Sequence, residues 1–328
     1  MTDHRIPRIA VIGGGRSDEH DVSLASASAV ARALEAGGLH VVALTVDRRG
    51  GWRRPDGGRL TPAEAVADLA RCDAAFPLLH GVDGEDGAIA GLLVMTGVPV
   101  VGSPVRAGAL AMDKWATKLV AEALGIRTAR GVVVRAGTDV SPDSAPGLLT
   151  GLALPVVVKP TTGGSSNGVT RVDRPTELAA AVAHARTAGD SVLIESFVVG
   201  REVDVAVFRD RSGALRTGAA LEIGVVASGV FDRETKYDGT ARFTVPAHLE
   251  PDDRAALEEA ARTLYDVLGC GGVARFDFFV TADGLVLNEV NTCPGFTELS
   301  QVPRMFAATG LDYDDLVEQL VRVVVGVD

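Results

Sequence analysis

No two cysteines in this sequence stand at disulfide-framework, metal-binding or redox spacing: Cys72, Cys270 and Cys293 lie far apart. That argues against a disulfide scaffold and a zinc cluster and points to a reducing compartment, the cytoplasm. Positive charge is in deficit. With a net charge of −11 the chain is unsuited to general binding of nucleic acid or anionic membrane, so any phosphate must meet local cations. The opening stretch MTDHRIPRIAVIGGG has no apolar signal core, and no secretory leader is expected. One uncharged run, residues 87–105, is interrupted by Gly97, Pro99, Gly102 and Pro104. These break it into a helix end, a short strand and a turn, which argues against a membrane span. The pattern GxxxxGK[ST] is missing, so this is not a P-loop NTPase. Neither an internal repeat nor a low-complexity tract is present.

What is present is the composition of an ordinary globular protein, 47% hydrophobic and 23% charged, in 328 residues, enough for two or three domains. In roughly the first hundred residues short strands alternate with helices. RIAVIGGG is a strand ending in glycines, after which Val22, Ala25, Ala29 and Ala33 recur at helical spacing. HVVALTVD, AAFPLLHG and GVPVVGS read as further buried strands of an open parallel α/β sheet. Ligands of such sheets sit at the strands' carboxyl ends, where Glu19 and His80 fall. A second, α+β unit begins near Pro104. Asp113 is suited to cap KWATKLVAEAL and Gly125 to end it. LPVVVKP, VTRV and SVLIESFV then form a small antiparallel sheet, with a helix running from Pro175 to Gly189. The third unit holds REVDVAVF, ALRTGAALEI, a polar stretch, a helix from Pro251 to Gly269, a hairpin, and a closing helix with Leu316, Leu320 and Val324. The expected division is 1–103, 104–198 and 199–328.

The hairpin ARFDFFV-TADG-LVLNEVN carries chemistry. With Ala282 and Asp283 at the turn, Asp277 falls opposite Asn288 or Glu289, and Arg275 near Asn291. Opposite Glu289, Asp277 would make a pair of carboxylates about 5 Å apart, requiring a proton or a cation. Mg²⁺ takes hard oxygen donors and keeps substrate phosphates in its shell. Asp277, Glu289 and Asn291 are therefore a candidate magnesium platform; a solvated hairpin face is the competing reading. In KPTTGGSSNG, Lys159 ends a strand, Gly163, Gly164 and Gly168 allow close backbone approach, and amides with Ser165 and Ser166 suit an anion. A flexible Gly/Ser hairpin is the plainer alternative.

Lys114 in a first helical turn opposes the helix dipole by roughly a few tenths of a kcal/mol, and a neighbouring anion would explain it. Lys236 lies in the polar stretch, where a mobile lid would carry it onto a phosphate. Each lysine alone is more often a surface lysine. ESFVVGRE is compatible with an adenine hinge: Glu195 ends a strand, the Phe197 and Val198 backbone meets the base edge, and Glu202 reaches a ribose. GGGRSDEHDVS departs from GxGxxG at Asp18, and Glu19 would repel a pyrophosphate but suit an ammonium group.

Nine stretches in order resemble the D-alanine–D-alanine ligase family of the ATP-grasp superfamily. They are GGGRSDEHDVSLASA, LHGVDGEDG, GVPVVGS, MDKWATK, VVVKPTTGGSSNGV, ESFVVGRE, ETKY, ARFDFFV and NEVNTCPGFTELSQVP. The resemblance implies a three-domain ATP-grasp fold with ATP between the second and third domains. It implies that ATP phosphorylates the carboxylate of one D-alanine and that the amine of a second attacks the acyl phosphate. Lys114, Lys159, Lys236 and Ser166 would then serve the phosphates, and Glu195, Phe197, Val198 and Glu202 the nucleoside. Asp277, Glu289 and Asn291 would hold two Mg²⁺ ions, with Mn²⁺ a substitute. Glu19 would bind the first ammonium in a chain with Ser165 and Tyr237, with His80 also at the substrate. Arg275 and the Gly295 amide would stabilise the tetrahedral oxyanion, and Ser300 would receive the second carboxylate. A cytoplasmic homodimer acting on small molecules is implied as well.

Several positions depart from the family pattern: Ala90, Val94 and Val100 replace glutamine, glutamate and tyrosine, Gly108 a serine, and Gln301 an apolar residue. They bear on the second substrate, leaving D-serine, D-lactate or another amino acid as the alternative. Tyr237, where depsipeptide-forming members often carry phenylalanine, favours an amine over D-lactate. The Glu19, Ser165, Tyr237 set disfavours an L-amino-acid dipeptide ligase. Retention of Arg275 and the acidic ligands disfavours a non-catalytic nucleotide-binding protein.

Overall fold

Strand β1 (Arg8–Gly14) is apolar and buried along nearly its whole length, so both its faces must be covered and it lies inside a sheet. The structure, a computed structural model, describes residues 5–141, 143–224 and 242–326. In the first sheet β2 (His40–Val46) and β5 (Ala74–Pro77) flank β1 in parallel. Two short strands, β3 (Trp52–Arg53) and β4 (Arg59–Leu60), extend the β2 edge antiparallel. GVPVVGS does not become a strand of this sheet. It supplies one parallel bridge, Ala75 to Val100, because Pro99 has no N–H to donate and Gly102 turns at φ 154°.

The second sheet has the order β6-β9-β7-β8, with β6 (Gly131–Val134), β7 (Val156–Pro160), β8 (Thr170–Val172) and β9 (Val192–Ser196) all antiparallel. The expected long helix after Pro175 is shorter: a 3₁₀ turn, Pro175–Glu177, leads into the helix Leu178–Ala185.

The third sheet runs β13-β12-β10-β14-β15, with β11 also on β10. Its strands are β10 (Arg201–Arg209), β11 (Leu215–Thr217), β12 (Leu221–Gly224), β13 (Arg242–Thr244), β14 (Val273–Thr281) and β15 (Gly284–Asn291). ALRTGAALEI is therefore two strands. The chain leaves the ladder between them, where the Ala219 amide donates to the Met305 carbonyl. A Cβ on Gly218 would stand 2.9 Å from the Met305 Cβ, so glycine permits the exit.

Packing brings these pieces to one site. Helix Val105–Met112 and helix Lys114–Ala123 bury Ala111 and Ala121 with Val203, Val205, Phe276 and Leu287 of the third sheet. Asp113 caps the second of them, its Oδ1 accepting from the Trp115 and Ala116 amides. Helix Pro251–Leu268 covers the same core, starting at its proline and ending at Gly269 in the left-handed region. The closing helix, Tyr313–Val325, packs Leu316 and Leu320 into a cluster with Ile9, Val11 and Phe76, tying the first sheet to the third. None of the described helices is long and apolar enough to cross a membrane.

Candidate active site

The β14–β15 hairpin pairs Asp277 with Glu289 and Arg275 with Asn291. A bulge follows Asp277, so Phe278 pairs with Leu287 and Asn288 is the extra residue that the sequence left ambiguous. Phe276, Phe278, Leu287 and Val290 turn into the core, which sends Arg275, Asp277, Glu289 and Asn291 to the other face.

Protein cations already balance these carboxylates. Arg275 Nε and Nη2 donate to Asp277 Oδ1 and Oδ2 at 2.7 and 2.8 Å, and Asn291 Nδ2 donates to Asp277 Oδ2 at 2.9 Å. Lys114 Nζ lies 3.1 Å from Glu289 Oε2 and donates to the Gly163 carbonyl at 2.6 Å. Burial disfavours the Lys114 charge, but the neighbouring carboxylates, Glu289 first, outweigh it and hold its pKa above the usual lysine value. The anion that Lys114 called for at its helix start is thus Glu289. Carboxylate repulsion alone does not demand a metal here.

A second charged group was not legible in advance. Glu195 Oε1 lies 2.6 Å from Lys159 Nζ, and Oε2 lies 2.9 Å from Lys118 Nζ, all three side chains being buried. Burial alone would raise the Glu195 carboxyl; Lys159 and Lys118 hold it below the ordinary carboxylate value. Lys118 is pushed down by burial and by Lys159, against the pull of Glu195. Lys159 Nζ also donates to Asn288 Oδ1 at 3.2 Å. Only the spacing of Lys114 and Lys118, one turn apart on a helix, hinted that both would point to the same side.

A cavity of about 380 Å³ opens over these groups, lined by Lys114, Lys159, Glu195, Ser166, Val198 and Glu202 among others. Phe197 also lines it, with the Arg171 guanidinium 4.6 Å from the centre of its ring. Ser165 and Ser166 sit at φ 50° and 57°. Such left-handed conformations cost non-glycine residues about 1 kcal/mol or more each and concentrate at functional loops.

Ser165 joins the cavity to Glu19, its Oγ donating to Glu19 Oε1 at 2.6 Å. Glu19 stands at the start of helix His20–Ala36, where the helix dipole favours a carboxylate. A Cβ added to Gly164 would come within 2.8 Å of Glu19 Oε2. If Glu19 meets a substrate's ammonium group, as the family resemblance implies, Gly164→Ala should raise the KM for that substrate by about 10-fold while leaving the melting temperature unchanged. Steady-state kinetics beside a thermal melt decides it, and an unaltered KM refutes the contact.

His80 Nδ1 lies 2.7 Å from the Cys293 carbonyl, and its buried Nε2 has no hydrogen-bond partner among the described residues. The carbonyl requires an N–H, so Nδ1 carries the proton. Burial lowers the ring's pKa, with Arg275 adding to it against the opposite pull of Glu19. Nε2 is then a lone-pair acceptor. Glu85, also missed, accepts from the Gly81 amide at 3.3 Å and the Cys293 amide at 3.4 Å. Its carboxyl is pushed up to about 7, chiefly by burial and then by Glu19. The acid-rich LHGVDGEDG did not reveal which carboxylate turns inward, since Asp83 instead meets Arg16 at 2.6 Å. Gly108 is explained too: a Cβ there would lie 2.6 Å from the Glu85 carbonyl.

Ser300 precedes helix Gln301–Ala307 and lies beside Gly295, its Oγ accepting from the Thr297 amide at 2.9 Å. Lys236 and Tyr237, with the expected lid, lie outside the described residues.

Nearly the whole chain matches known proteins. The family model described as D-ala D-ala ligase N-terminus matches residues 8–66 and 55–103, and D-ala D-ala ligase C-terminus matches 120–322. The D-alanine–D-alanine ligase of Rhodococcus jostii (strain RHA1) is 40% identical, with 96% of this chain and 95% of the relative covered. That of Mycolicibacterium smegmatis (strain ATCC 700084 / mc(2)155) is 39% identical over 96% and 94%. Among solved structures, the D-Ala:D-Ser ligase VanG from Enterococcus faecalis is 31% identical with TM-score 0.84, covering 97% of this chain and 99% of that one. D-alanyl-alanine synthetase A from Vibrio cholerae O1 biovar eltor is 26% identical with TM-score 0.86, covering 98% and 99%. The chain therefore belongs to the D-alanine–D-alanine ligase family and has its ATP-grasp fold.

Proposed function

We propose that this protein uses ATP to join two D-alanines into D-alanyl-D-alanine, a cell-wall peptidoglycan precursor. The observation that carries the reading is Ser165, which lines the cavity with its lysines and also donates to Glu19 at 2.6 Å. One loop thereby couples a phosphate site to an ammonium site. Retained family residues favour D-alanine over the alternative second substrates.

In this reading the adenine lies by Phe197 and Val198, Glu202 takes the ribose, and Lys114 and Lys159 draw the phosphates into the cleft, with Lys236 from outside the described residues. Glu19 and the His80 Nε2 lone pair accept from the first substrate's ammonium. Its carboxylate is held in line for the γ-phosphoryl group, a transfer governed by positioning and charge neutralisation. The second amine, after losing a proton, attacks the acyl phosphate carbon. Arg275 and the Gly295 amide take up the charge on the tetrahedral oxyanion, each such donor being worth about 3–4 kcal/mol. The C–O bond to phosphate then breaks, releasing phosphate and dipeptide.

Asp277, Glu289 and Asn291 have the hard-oxygen chemistry Mg²⁺ prefers. No group of three or more His, Cys, Asp or Glu able to hold a metal occurs among the described residues. Asp277 and Glu289 stand opposite each other on the hairpin with Asn291 two residues further along β15, an arrangement that fits an ion completing its shell with polyphosphate oxygens. Magnesium there would neutralise the charge developing on the transferred phosphoryl group. We assign the units 1–103, 104–198 and 199–328 to a cytoplasmic homodimer.

Phosphate release should require Mg²⁺ and D-alanine together and exceed that with D-serine, D-lactate or L-alanine. Glu289→Ala should cut turnover by about 10²-fold or more. Release without D-alanine, or undiminished turnover in that variant, defeats the respective assignment.

A further inference from the structure

The side chain of Gln301 is spent inside the protein. Its Oε1 accepts from Arg275 Nη1 at 2.7 Å, and its Nε2 donates to Asp204 Oδ2 at 3.2 Å. Asp204 is wholly buried on β10, directly across from Asp277 in the strand pairing. Arg275 Nε is 3.5 Å from the same Asp204 oxygen and 2.7 Å from Asp277 Oδ1. The guanidinium thus stands between two neighbouring carboxylates that compete for it.

We propose that Gln301 is a positioning residue that, through Asp204, fixes the orientation of the Arg275 guanidinium for the acyl-transfer half of the reaction. A carboxamide suits that task because it has one end of each polarity. Its oxygen draws Nη1 away from the aspartates, and its NH₂ occupies the Asp204 oxygen that would otherwise draw Nε. Two of the five N–H groups of the arginine are left, among the described residues, for substrate oxygens. An apolar residue at 301 would remove both anchors at once and let the fork swing toward Asp204. The departure at Gln301 therefore acts on the arginine and not on the second substrate's side chain.

The inference rests on the proposed acyl-phosphate reaction, and the test separates the two. ATP labelled with ¹⁸O in the β,γ-bridge reports the first half-reaction. Reversible transfer of the γ-phosphoryl group to D-alanine leaves the label on the ADP β-phosphate, which rotates before ATP re-forms and scatters it to non-bridging positions. Gln301→Met keeps the side chain's length without its polar atoms. It should lower kcat about 10- to 100-fold while label exchange and the KM for ATP change by less than about 3-fold.

The double variant Gln301→Glu with Asp204→Asn restores one acceptor for Arg275 and one donor–acceptor contact with polarity reversed and net charge kept. It should recover most of the lost kcat, although Gln301→Glu alone does not. Equal loss of exchange and turnover, unchanged turnover in Gln301→Met, or no recovery in the double variant overturns the proposal. Wild-type enzyme that turns over without any exchange overturns the acyl-phosphate reading instead.

Discussion

Turnover should fall by about 10³-fold in Arg275→Lys with ATP affinity nearly intact. Arg275 holds both oxygens of Asp277 through Nε and Nη2 while Nη1 rests on Gln301. An ammonium keeps the charge, so the buried aspartates are still compensated and the fold should survive. It cannot reproduce a planar fork, and the donors proposed for the oxyanion are lost. Burial would lower the arginine's pKa, but Asp277 and Asp204 raise it well above the ordinary value, so the residue is a fixed cation at every working pH. Steady-state kinetics with nucleotide titration decides it. A variant within 10-fold of wild type would mean that the oxyanion is stabilised elsewhere.

The second large effect is on stability. Glu195→Leu removes the only carboxylate within ion-pair reach of Lys118 among the described residues, and Lys118 Nζ is otherwise 3.4 Å from the Leu287 carbonyl. Stranding buried charge of this kind costs about 3–5 kcal/mol. The apparent melting temperature without nucleotide should drop by roughly 5 °C or more, and ATP-analogue binding should weaken. Adding Lys118→Met should give back part of the loss, since a buried ion pair replaced whole is tolerated better than one broken. Thermal melts of the two single variants and the double variant provide the measurement. Strictly additive losses would show that Lys118 and Glu195 do not act as a pair.

Much of this site was open to reading because its pieces are local. Glu289 and Asn291 share a face by strand alternation, and a short turn at Ala282 and Asp283 brings Asp277 and Arg275 opposite them. The bulge that makes Asn288 line the cavity was not readable, since it depends on how Phe278 and Leu287 settle in the core. Lys118, Glu85 and Asp204 were missed for a related reason. Each looks ordinary within its own segment and gains meaning from a partner far along the chain: Glu195 for Lys118, Cys293 for Glu85, Arg275 for Asp204. The same holds for the fold. The strands with long apolar runs are legible in the sequence, whereas GVPVVGS reads as a strand that Pro99 does not allow. Strand β6, with only four residues, went unread.

The Cys293 main chain has a consequence for how such enzymes can be recombined. Its C=O is held by His80 and its N–H by Glu85, so the loop presenting Gly295 is gripped from the segment after β5. These partners are separated by 213 and 208 residues, yet they behave as one joint. A hybrid that takes its amino-terminal third from a parent without a histidine and a glutamate at positions 80 and 85 would cut this joint although every residue around Gly295 is native. Crossovers that carry residues 80–87 and 292–296 together from the same parent keep it whole.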